Sequence, residues 1–111
     1  RDGYDVTIHV PITFSQAVLG DDVEVPTVDG RIVQHIPEGT QSGTKFRLRG
    51  QGIQYLNGRG RGDQYVIVDV EIPKKVTRAQ REALKAFEDS MKEDNYEKRK
   101  GFFKNLRDRF S

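Results

Sequence analysis

The chain has 111 residues, of which 34% are hydrophobic and 32% charged, with a formal net charge of +2. This length suits one domain, or one domain with an appendage, and it allows a modest core. Cysteine is absent, so disulfides, Cys-based zinc sites and thiol nucleophiles are excluded, and two histidines are too few for a catalytic zinc site.

Charge and composition change together along the chain. Residues 1–73 carry 7 basic and 10 acidic groups, whereas residues 74–111 carry 12 basic and 7 acidic groups. Ten of the eleven glycines and all four prolines precede residue 74. We therefore expect a domain over 1–73 and a separate segment over 74–111. No apolar run of about 20 residues and no signal-peptide pattern is present, so we expect a cytoplasmic binding protein with no membrane partner.

Short strands separated by turns are predicted for residues 1–73. The first, Tyr4–Ile12, alternates apolar and polar residues as a half-buried antiparallel strand does. A helical turn, Phe14–Leu19, stops at Gly20. Further strands are predicted at 23–25 (ending at Pro26), 32–36 (after an Asp29-Gly30 hairpin turn), 45–49 and 64–72. Five or six such strands predict a mainly β fold, a small sandwich of mostly antiparallel strands.

The polar motifs of this section offer no catalytic site. The glycine-rich loop Asn57–Gly62 is compatible with a nucleic-acid or phosphate contact, but a flexible, solvated connection between strands explains it as well. We interpret His9 and His35 as surface residues. Asp21, Asp22 and Asp63 are at predicted turns, where aspartate side chains favour hydrogen bonds to nearby backbone groups. The chain is therefore expected not to be an enzyme.

A helical appendage is predicted for residues 74–111. Thr77 and Gln80 form a capping-box pattern, and an apolar stripe follows, so we expect a helix over 77–91. Residues 92–100 hold seven charges and predict a mobile linker. A short helix is expected over 101–110. Its apolar face requires a partner surface, because a helix of about ten residues is unstable alone. A second copy, packing in cis and a membrane surface all remain open.

Three stretches resemble the C-terminal client-binding region of the bacterial DnaJ co-chaperone family. They are residues 24–33 (EVPTVDGRIV), 36–52 (IPEGTQSGTKFRLRGQG) and 58–65 (GRGRGDQY), together with the leading RDG. The resemblance covers essentially the whole chain. It implies a second client-binding β-domain followed by a dimerisation segment.

The resemblance also implies what this region does not do. It holds no His-Pro-Asp tripeptide, which in the family stimulates ATP hydrolysis by the DnaK-type chaperone. It holds no Cys-x-x-Cys-x-Gly-x-Gly repeats, which bind zinc in the family. We therefore expect no cofactor here, and a fragment that acts through the parent protein on a DnaK-type partner.

The resemblance and the apolar patterns together nominate binding residues. The tentative client contacts are Ile36, Phe46 and Leu48, for which an ordinary core role stays open. The expected homodimer contacts are Leu84, Phe87, Met91, Phe102, Phe103, Leu106 and Phe110. Two other functions remain: a purely structural dimerisation fragment, and a nucleic-acid-binding β-domain, which the acidic first section argues against.

Overall fold

A computed structural model describes residues 3–56 and 58–110. The chain divides into two compact units, Arg1–Ile72 and Pro73–Ser111. The first unit contains β1 (Val6–Ile12), α1 (Phe14–Leu19), β2 (Asp21–Thr27), β3 (Gly30–Ile36), β4 (Lys45–Leu48) and β5 (Gln64–Val70). The second contains α2 (Arg78–Ser90), a 3-10 turn at Glu93–Asn95 and α3 (Glu97–Phe110).

Two small sheets form the first unit, which confirms the predicted β fold with a helical C-terminal part. One sheet has the order β1-β5-β4, and the other is the β2-β3 hairpin. β5 pairs antiparallel with β4 and parallel with β1, in the register Val6↔Gln64 to Ile12↔Val70. The antiparallel expectation for the first strand was therefore wrong. Its partner is a strand more than fifty residues away, which no local pattern specifies.

The hairpin differs from its prediction by one residue. Thr27 pairs with Gly30, so the two-residue turn is Val28-Asp29 and not Asp29-Gly30. β2 also continues through Pro26, where the sequence predicted its end. Proline is tolerated there because the backbone of Pro26 faces away from β3 and loses no ladder hydrogen bond.

The core lies between the two sheets. Its fully covered residues come from all five strands and α1, since the inward-facing side chains alternate along each strand: Ile12, Ala17, Val25, Ile36, Leu48, Val66 and Val68. Gln64 is the buried polar residue among them. Its side-chain Nε2 donates to the Pro26 carbonyl at 2.7 Å, so this amide joins the two sheets and is not left unsatisfied.

Helices α1 and α2 each begin directly after a threonine N-cap. Thr13 caps α1 through the N–H of Gln16 at 3.0 Å, and Thr77 caps α2 through the N–H of Gln80 at 3.1 Å. Both capping boxes are complete. Within the described residues, no helix is long and apolar enough to cross a membrane.

The charged stretch 92–100, predicted as a mobile linker between two helices, is itself largely helical. Residues 93–95 form a 3-10 turn, and α3 already begins at Glu97. The helix is therefore 14 residues long and not the short helix over 101–110. Glutamate, lysine and arginine are good helix formers, so a dense run of them can continue a helix without apolar periodicity.

Candidate functional site

Two of the three predicted client contacts are core residues. Ile36 is 1% exposed and Leu48 7% exposed, so neither side chain reaches the surface of the sandwich. Phe46, on β4, is half-buried and packs against the core. Of these three residues, Phe46 is the one whose side chain a client could contact without local unfolding.

The first strand presents a free backbone edge. In the described part of the chain, β1 pairs with β5 alone. The Val6 N–H donates to the Asp63 carbonyl, and the Ile12 carbonyl accepts from the Glu71 N–H, each at 2.9 Å. Since backbone direction alternates along a parallel pair, Thr7, His9 and Pro11 direct their backbone groups away from β5. This edge offers two N–H donors and three carbonyls.

Apolar side chains accompany that edge. Ile8 and Val10 point toward the core but are half-buried, whereas Val66 and Val68, their register partners on β5, are fully buried. Val23 on β2 is also half-buried and packs against the same core. Along β1, Ile8 and Val10 therefore stay partly accessible beside unpaired backbone.

Sequence reasoning did not nominate Ile8, Val10 and Val23. Their alternation was visible and correctly placed them on inward faces. What the pattern did not show is the strand order, which leaves one backbone edge of β1 unpaired beside Ile8 and Val10. Ile36 and Leu48 take the core role that the sequence left open for them.

The opposite face of this sheet is polar. His9 Nδ1 is 2.8 Å from Asp69 Oδ2, and the Lys45 ammonium lies 4.3 Å from the Tyr65 ring centroid. His35 pairs similarly with Asp22 at 2.8 Å. Both histidines are exposed, as predicted. Among the described residues, no cluster of three or more His, Asp or Glu side chains could hold a metal ion.

The start of β1 is held by a clamp centred on Asp63. Its carboxylate accepts the Gly50 N–H at 2.9 Å and the Arg47 Nε at 2.7 Å. These two hydrogen bonds, in that order of effect, lower the pKa of Asp63 below its ordinary value. The Asp63 N–H in turn donates to Asp5 Oδ1 at 2.8 Å. The clamp thereby fixes the chain entering β5 against the chain entering β1.

Within its described residues, the glycine-rich loop forms a hydrogen-bonded turn. The Tyr55 N–H donates to the Gly60 carbonyl, and the Gly62 N–H donates to the Ile53 carbonyl, both at 3.0 Å. Arg61 pairs with Asp29 at the hairpin turn. Asn57, like the Arg1 and Asp2 of the leading motif, lies outside the described residues.

The predicted dimer contacts lie on the second unit. Leu84 is 60% exposed, Phe102 61% and Phe110 78%. Phe87 and Leu106 are less exposed, and Met91 and Phe103 are half-buried. Both helices therefore present apolar side chains on their surfaces, in the pattern that the sequence suggested.

Residues 91–96, here called the elbow, join α2 to α3. An open pocket of about 260 Å³ lies at the elbow. It is lined by apolar or aromatic side chains and by two acidic and two basic ones: Met91, Tyr96, Phe103, Glu88, Glu93, Lys92 and Arg99. The Lys100 ammonium and the Asp94 carboxylate, 2.5 Å apart, brace it. Their hydrogen bond raises the pKa of Lys100 and lowers that of Asp94. The guanidinium of Arg99 covers the Phe103 ring at 4.8 Å.

Comparison with known proteins matches both units to one kind of protein. The family model described as DnaJ C terminal domain matches residues 1–73, and the one described as Chaperone protein DnaJ C-terminal region matches residues 79–111. Similar curated proteins named Chaperone protein DnaJ come from Ruminiclostridium cellulolyticum (52% identity over 110 residues), Acetivibrio thermocellus (50% over 108) and Clostridioides difficile (50% over 110). These alignments cover 97–99% of this chain but only 28–29% of each relative.

Proposed function

The chain belongs to the DnaJ C-terminal domain family, and we propose that it is a co-chaperone module that binds non-native polypeptide and forms a homodimer. Because the chain spans less than a third of its relatives' length, the activity of the whole protein is part of this proposal. That protein delivers clients to a DnaK-type ATPase chaperone in the cytoplasm. This region contributes binding, with no catalysis and no cofactor of its own.

The free edge of β1 is the observation that supports client binding. An extended polypeptide can add to an exposed edge through main-chain hydrogen bonds, which tolerate many sequences. Thr7 and His9 offer the N–H donors for such a strand, and Ile8 and Val10 offer apolar contacts beside it. Sequence-tolerant backbone pairing with apolar contacts suits a protein whose ligands are unfolded chains.

Dimerisation is supported by the exposed apolar faces of α2 and α3. Short helices need packing to be stable in water, and a second copy supplies it. Two weak client sites in one dimer would bind the same extended chain with greater avidity, since the second contact is intramolecular.

The client site can be tested through the backbone edge. His9→Pro removes a backbone N–H that points away from β5, so the hydrogen bonds between β1 and β5 are kept. Pro11, whose backbone points the same way as that of His9, shows that β1 accepts proline at such positions. His9→Ala is the matched control, because it removes the side chain and keeps the donor. Fluorescence anisotropy with a labelled, permanently unfolded polypeptide measures the affinity. We expect His9→Pro to weaken binding and His9→Ala to bind like the wild type.

Side-chain variants complete the test. Ile8→Ser and Val10→Ser should each weaken binding about fivefold, since covering the exposed half of such a side chain contributes about 1 kcal/mol. Thr7→Ser, on the polar face, is their control. Phe46→Ala examines the β4 position in the same assay. Unchanged affinity in folded His9→Pro and Ile8→Ser variants would contradict binding at β1, and a loss confined to Phe46→Ala would move the site to β4.

A further inference from the structure

The free edge of β1 lacks the charges that usually protect such an edge. Among the described strands, β1 is the one without lysine, arginine, aspartate or glutamate. The other edge of the same sheet is β4, which is four residues long and contains Lys45 and Arg47. Proteins protect exposed edges with short strands, charged side chains and prolines. β1 is seven residues long, and its only such residue is Pro11 near its end.

The backbone groups on this edge complement themselves. Thr7 and His9 each direct an N–H and a carbonyl away from β5, whereas Pro11 directs a carbonyl alone. In an antiparallel pair of two β1 strands, Thr7 of one copy can lie opposite His9 of the other. Every N–H that points away from β5 within Val6–Ile12 then meets a carbonyl of the other copy, and Pro11 lies outside the bonded stretch.

The side chains favour the same pairing. In this register Ile8 of each copy lies opposite Ile8 of the other, on the face that points toward the core. Ile8 and Val10 are half-buried, so a second β1 strand would cover apolar surface that stays accessible here. A strand that pairs with its own copy brings like charges close together, which is destabilising. β1 carries none of these charges, and the register does not place the two His9 side chains opposite each other.

We propose that the edge of β1 is a self-association site, at which the β1 strands of two copies pair antiparallel about a two-fold axis between their Ile8 residues. The two three-stranded sheets would then form one continuous sheet. This contact lies on the first unit and does not use the helices of the second. It rests on the proposed function in one respect, since the same edge is the proposed client site. Self-pairing therefore competes with client binding and covers the edge when no client is bound.

Disulfide formation between copies reports the pairing. Directly opposed residues of an antiparallel pair have Cα atoms about 4.5–5.5 Å apart, within the roughly 4.4–6.8 Å that a disulfide spans. The chain has no cysteine of its own, so Ile8→Cys introduces a single thiol. Its disulfide-linked dimer should form about tenfold faster than that of Ser15→Cys, because pairing holds the two thiols at a high effective concentration. Ser15 is exposed and lies outside β1, and both variants keep the second unit.

Val10→Cys tests the register. Val10 should lie opposite Val6 of the other copy, so the two Val10 positions are four residues apart along the strands. That separation is about 14 Å, which is beyond the reach of a disulfide. Val10→Cys by itself should therefore crosslink no faster than Ser15→Cys, whereas its mixture with Val6→Cys should crosslink several-fold faster. Circular dichroism checks that each variant is folded, and the mixture gives a readout that does not depend on Ile8→Cys.

The permanently unfolded polypeptide separates this inference from the proposed function. A saturating amount should bind Ile8→Cys in the anisotropy assay and slow its crosslinking to the rate of Ser15→Cys. Equal rates for these two variants without polypeptide, together with no faster crosslinking in the mixture, would overturn self-pairing and leave client binding intact. Rapid crosslinking by a chain that binds no polypeptide would contradict the proposed function and support self-pairing. Rapid crosslinking that a bound polypeptide does not slow would overturn the competition.

Discussion

Gly62 provides the sharpest test of how the first unit is assembled. A Cβ built at this position would overlap the Tyr4 carbonyl oxygen, and it would lie 2.5 Å from the carbonyl carbon of Tyr4 and 2.7 Å from Asp5 Oδ1. Two of these three atoms are backbone, so no side-chain rotation can relieve the contact. Gly62→Ala must instead displace the segment that enters β1.

The cost follows from overpacking. Forcing a methyl group into a well-packed site destabilises a protein by about 1–3 kcal/mol. For a unit of this size, that corresponds to a Tm roughly 5 to 20 °C lower. Because the displaced segment leads into β1, client affinity should fall as well, even at temperatures where the variant is folded.

Thermal and denaturant unfolding, followed by circular dichroism, measure the loss. Gly101→Ala is the matched control: a Cβ there meets no atom within 4 Å, and alanine is favoured over glycine inside a helix such as α3. It should leave the first unit unchanged. Neutral surface changes usually alter the free energy of unfolding by no more than about 0.5 kcal/mol. If the free energy of unfolding of Gly62→Ala lies within that range of the wild type, this account of the Tyr4–Gly62 contact is refuted.

Two further predictions concern the clamp and the second cap. The folded pKa of Asp63 is lowered, so its contribution to stability is complete above its unfolded pKa, about 3.9, and is lost as the pH falls through the folded value. Asp63→Asn should therefore reduce the stability measured at pH 7 and flatten its decline in acid; an unchanged pH profile would contradict the clamp. Thr77→Ala should cost α2 about 0.5–2 kcal/mol, seen as lower helical content at a given temperature, with Arg81→Ala as the exposed control. Equal helicity in both variants would show that the cap is dispensable.

Local patterns predicted the elements well where a local cause determined them. The helical turn at 14–19 ended at Gly20 as expected, and the Thr77–Gln80 capping box marked the start of α2. Helix α3 was underestimated because the sequence offered charge and no apolar repeat before residue 101. Its start depends on helix propensity and on the elbow, where Lys100 meets Asp94.

Long-range pairing determined the rest, and with it the candidate site. How far an inward-facing residue is covered depends on the packing of distant segments over it, which its own strand does not specify: on β1 alone, Ile12 is 2% exposed whereas Ile8 is half-buried. β1 and β5 are paired in parallel across more than fifty residues, so nothing near β1 in the sequence shows that it is an edge strand. Ile8 and Ile36 both alternate with polar neighbours on strands that have a single partner, yet Ile8 is half-buried and Ile36 is sealed in the core.

The same contacts weigh against the nucleic-acid alternative. That hypothesis needs the basic side chains of the first unit to be available for phosphates. Of the four arginines that it would use with the basic tail (Arg47, Arg49, Arg59 and Arg61), Arg47 is held by Asp63 and Arg61 is paired with Asp29. A phosphate would have to displace these partners, and breaking the Asp63 clamp would also loosen the entry to β1. These ion pairs instead join segments of the sandwich, and the one at Asp63 fixes the entry to β1.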